Sequence, residues 1–101
     1  MPESVQNPRQ DFFRMRCVSR MVFLGRFAPA SFAAFARERA VRLTLDLTIE
    51  QLSPQRITVV VAGQPGLVDA FEMACSLGPL DCLVLDVERC EAEAVEMRQL
   101  P

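Results

Sequence analysis

Apolar and polar residues alternate in four stretches of the chain and recur at helical spacing in two others. Met15, Cys17, Met21 and Phe23 fall on odd positions while Arg14, Arg16 and Arg20 fall on even ones, the period of a half-buried strand over Arg14 to Leu24. A turn follows at Gly25 to Ser31. Phe32, Phe35, Ala36 and Ala40 then form an i, i+3, i+4 stripe, predicting a helix over Ser31 to Val41 with Ser31 as its cap and both rings on the buried face. Leu43, Leu45, Leu47 and Ile49 alternate with Thr44, Asp46, Thr48 and Glu50, the clearest strand signal in the sequence. Ser53-Pro54 supplies a turn, and Ile57, Val59 and Val61 alternate with Arg56, Thr58 and Val60 in a third strand antiparallel to the second. Val68, Phe71, Ala74 and Cys75 give a second helix between Pro65 and Leu77, stopped by Gly78-Pro79. Leu83, Leu85 and Val87, read as inward against Val84, Asp86 and Glu88, make a last strand.

The order strand, helix, strand, strand, helix, strand is that of the ferredoxin-like βαββαβ sandwich, an α+β fold with a four-stranded antiparallel sheet and both helices on one face. Arg14, Arg16, Arg20, Asp46, Glu50, Arg56, Asp86 and Glu88 fall on the uncovered face, where cross-strand ion pairs are expected. The domain spans residues 14–91, preceded by a flexible segment at 1–13 and followed by an acidic tail at 92–101. Phe12 and Phe13 are expected to pack locally at the entry to the first strand.

A chain of 101 residues makes one domain. Its net charge of -2, from 11 Arg against 13 acidic residues, provides no field for nucleic acid or an anionic membrane. The outward strand positions hold no aromatic on which a base would stack, so nucleic acid is not an expected partner. His, Lys, Tyr and Trp are absent, which removes the usual neutral-pH base, the Schiff-base amine and the commonest metal ligand. Cys17, Cys75, Cys82 and Cys90 include no Cys-x-x-Cys pair, so neither a metal nor another cofactor is expected. Cys17 and Cys75 read as small core hydrophobes and Cys82 and Cys90 as partly exposed thiols, with no Lys or His beside them to activate them. The N-terminus lacks an apolar run after a basic start, and no stretch approaches the roughly 18 apolar residues of a spanning helix. A cytoplasmic location and no membrane contact are the corresponding expectations.

One segment has more than pattern. Gly25-Arg26-Phe27-Ala28-Pro29-Ala30-Ser31-Phe32-Ala33, running into Ala34-Phe35-Ala36-Arg37-Glu38-Arg39-Ala40, resembles the acylphosphatase signature Gly-x-Val-Gln-Gly-Val-x-Phe-Arg and the helix after it. Val59-Val60-Val61-Ala62-Gly63-Gln64-Pro65, Leu67, Asp69-Ala70-Phe71 and Gly78-Pro79 are similar to that family's third strand and second helix, so the resemblance covers roughly Arg14 to Glu91. It implies cleavage of carboxylic-phosphoric anhydrides, with a loop of backbone N–H groups and one Arg holding the phosphate and one Asn positioning water. Backbone donors and a forked guanidinium suit phosphate oxygens, and an amide orients water without ionising.

In the ungapped frame the Arg position holds Ala33 and Pro29 stands where the family has Gly, while the Asn position, counted back from the third strand, falls on Gln51. Pro29 removes one donor and fixes φ. The resemblance therefore implies an acylphosphatase-like domain that has lost catalysis and acts as a binding or regulatory module, through a protein partner or self-association. The alternative is a divergent acylphosphatase in which Arg26 and Gln51 substitute as catalytic residues, with a weakly held anion at the loop Gly25, Arg26, Phe27, Ala28, Pro29, Ala30 and Ser31.

Overall fold

The computed structural model describes residues 16–91. The expectations for segments 1–13 and 92–101, and for Phe12, Phe13 and Arg14, lie outside the described residues. Strand β1 spans Cys17–Arg26, helix α1 Pro29–Arg42, strand β2 Asp46–Leu52, strand β3 Arg56–Gly63, helix α2 Pro65–Leu77 and strand β4 Leu83–Glu91. The strands form one antiparallel sheet in the order β2-β3-β1-β4. This is the ferredoxin-like βαββαβ arrangement.

Odd residues of β1 and β3 build the sheet's side of the core. Met21, Phe23, Ile57, Val59 and Val61 are fully buried, against Phe32, Ala36 and Ala40 of α1 and Val68, Phe71 and Cys75 of α2. Phe35 is only partly buried and lies under the Arg39 guanidinium, 5.3 Å from its ring centre, so one ring of the predicted pair enters the core fully. The uncovered face carries the expected ion pairs. Arg16 Nη2 donates to Asp46 Oδ2 at 2.8 Å, and Arg20 donates through Nε and Nη2 to the two Glu50 oxygens at 3.1 and 3.2 Å. This hydrogen bonding holds the Glu50 carboxyl below the usual carboxylate range.

Three local readings change. Helix α1 starts at Pro29 with Ala28 as its cap, because proline's fixed φ suits the first helical position. Ser31 lies inside the first turn and is not the cap. Leu43 and Thr44 belong to the exit of α1, with Thr44 at φ 58°, so β2 begins only at Asp46. In β4, the register passes from Leu24 opposite Asp86 to Gly25 opposite Val84, leaving Leu85 as the extra residue of a bulge. The bulge reverses the alternation. Val84 and Val87 pack on the core, while Leu83 and Leu85 are exposed.

Beyond the bulge the helix side of β4 also carries Arg89. Its Nη1 donates to Asp69 Oδ1 and Glu72 Oε1 of α2, and its Nε to Glu91 Oε2, each at 2.8 Å. Burial works against the charge, but these carboxylates raise the guanidinium above its ordinary pKa. Glu91 Oε1 in turn accepts from the hydroxyl of fully buried Ser19 at 2.8 Å, which satisfies a polar group that would otherwise be costly inside the core.

The bulge explains a glycine. A Cβ at Gly25 would overlap the Leu83 backbone carbonyl, whereas at Gly63 it would meet the movable tip of the Leu45 side chain. Gly25→Ala is expected to cost about 2–3 kcal/mol and Gly63→Ala about 1 kcal/mol or less in urea unfolding. Equal costs would mean that β4 does not press on Gly25. A second expectation concerns pH. Because the Glu50 pKa is lowered in the folded protein, its contribution is present above the unfolded-state pKa and lost as pH falls through the folded one. Glu50→Gln is expected to flatten the acid limb of a stability–pH profile, and an unchanged limb would show that the Arg20 pairing does not persist in solution.

Candidate functional site

The loop between β1 and α1 is held from two sides. From the sheet, the Gly25 N–H donates to the Gln55 carbonyl at 3.1 Å and the Phe27 N–H to the Pro54 carbonyl at 2.7 Å, so the β2–β3 turn takes two of the loop's donors. From the core, the buried Phe27 ring meets Phe32 edge-on with centroids 5.2 Å apart, and Phe32 lies 5.3 Å from Phe23. The turn sits at the right height because Ser53 closes it. Its hydroxyl both donates to the Arg56 carbonyl, at 2.9 Å, and accepts from the Arg56 N–H, at 3.0 Å.

The helix start loses one donor to proline. The first turn of an α-helix leaves its N–H groups without intrahelical partners. Here Pro29 has no N–H and the Phe32 N–H donates to the Ala28 carbonyl at 3.0 Å, so Ala28, Ala30 and Ser31 supply the remaining donors of the helix start. Asp81 comes from the α2–β4 connection, and its Oδ1 accepts from the Ser31 hydroxyl at 2.8 Å. A carboxylate at this position complements the positive end of α1 and opposes the approach of a second anion. The sequence pattern did not single out Asp81, which is fifty residues from Ser31 and reaches it only through the packing of β4 on β1.

Ala33 is buried, 2% exposed, and its methyl offers neither charge nor donor. Arg26 ends β1 with its side chain exposed and without a hydrogen bond or ion pair among the described residues. Gln51 lies on the uncovered face of the sheet, where its Oε1 accepts from the Thr58 hydroxyl at 3.2 Å. A second bulge, between Ile49 and Gln51, sets it opposite Thr58, which itself faces Val22. Gln51 is therefore level with a residue four positions before Arg26, about 13 Å along the strand, and two strands across. The structure brings Gly25, Phe27 and Ser31 into one bonded loop but does not bring Arg26 and Gln51 into contact.

Thiol chemistry finds no support beside the loop. The Cys82 Sγ contacts the Ala28 carbonyl at 3.8 Å and Asp81 Oδ1 at 3.7 Å; burial pushes this thiol up and the Asp81 charge adds to it. Burial also raises Cys17, and drives Cys75 up to about 12. Each shift opposes thiolate formation. Among the described residues no group of three or more His, Cys, Asp or Glu is placed to hold a metal ion, and no helix is long and apolar enough to cross a membrane.

The sequence matches no family model and no curated protein. The fold does find relatives. It is similar to an acylphosphatase from Coxiella burnetii, with a TM-score of 0.72 and 19% identity over 79% of this chain and 84% of that one. It is similar to an acylphosphatase from Bacillus subtilis, with a TM-score of 0.71 and 21% identity over 81% and 90%. It also resembles part of full-length HypF in its phosphate- and nucleotide-bound form, with a TM-score of 0.69 and 17% identity over 81% of this chain and 11% of that one.

The contact between Asp81 and the start of α1 is open to a double-mutant cycle. Ser31→Ala and Asp81→Ala are expected to show a coupling of about 0.5–1 kcal/mol in urea unfolding. Additive effects would mean that the carboxylate does not occupy the helix start in solution.

Proposed function

We propose that this chain, which has the acylphosphatase fold, does not hydrolyse acyl phosphates and serves as a non-catalytic binding module. The observation that carries this reading is the altered loop: two of its N–H groups are spent on the Pro54 and Gln55 carbonyls, Pro29 supplies none, and a carboxylate accepts from the Ser31 hydroxyl. A phosphate entering here would meet Asp81 where it needs positive potential, and Pro29 and Ala33 where it needs donors. Loss of one such electrostatic stabiliser typically costs roughly 100-fold or more in rate. This loop lacks more than one.

Two features of the core support retention of the domain for another purpose. Its aromatic packing is intact around Phe23, Phe27 and Phe32, and the buried Ser19 has its partner. The competing reading assigns phosphate binding to Arg26 and water positioning to Gln51. It requires Arg26 to fold back over the loop while Gln51 leaves Thr58.

Hydrolysis of benzoyl phosphate separates the two. The purified chain, shown to be folded by circular dichroism, is expected to leave the buffer rate unchanged, as are Arg26→Ala and Gln51→Ala. Turnover well above buffer that either substitution abolishes would overturn the non-catalytic reading and make that residue part of an active site.

A further inference from the structure

We draw no further inference here: the strongest candidate, the apolar flank that Met73 and Leu77 of α2, Leu80 of the connection and Leu83 and Leu85 of β4 leave exposed beside an open concavity, carries nothing because the structure does not show what covers it.

Discussion

The β1–α1 loop is shaped from below by three phenylalanine rings. Phe23 comes from β1, Phe27 from the loop and Phe32 from the first turn of α1, with neighbouring centroids 5.2 and 5.3 Å apart. Once Phe23 is placed by the strand and Phe32 by the helix, Phe27 fills the gap between them and draws the loop onto the core. The loop then lies within reach of the Pro54 and Gln55 carbonyls, which accept its N–H groups. Hydrophobic packing comes first in this chain of causes and hydrogen bonding closes it.

The same loop is coupled to the adjacent edge of the sheet. The bulge in β4 presses the Leu83 carbonyl towards Gly25, where only the absence of a side chain permits the approach. It also turns Leu83 and Leu85 outward, and the connection that leads into β4 sets Asp81 against Ser31. One inserted residue thereby connects the β1–α1 loop to the exposed apolar edge.

Much of the fold was legible in the sequence because the periods were clean. Leu47 and Ile49 face inward, as the alternation in β2 requires, and Arg16 and Arg20 find Asp46 and Glu50 across the uncovered face. Phe32, Val68, Phe71 and Cys75 bury as their helical spacing predicts. The departures arise where one residue changes phase. A bulge leaves no mark in a two-residue repeat, so Leu85 reads as inward and Arg89 as unremarkable, and the strand partner decides otherwise. The loop was legible as a resemblance, with its departures at Pro29, Ala33 and Gln51. Its contacts were not. Asp81 and the turn carbonyls act on the loop only through contacts between segments distant in sequence.

Amide chemical shifts measured during titration with inorganic phosphate report residue by residue on whether the β1–α1 loop is closed to anions. The Gly25, Phe27, Ala30 and Ser31 amides are predicted to stay in place through the titration, with Gly25 and Phe27 slow to exchange with solvent. Saturable shifts centred on these four amides, lost in Arg26→Ala, would contradict the account and restore the loop as a phosphate site.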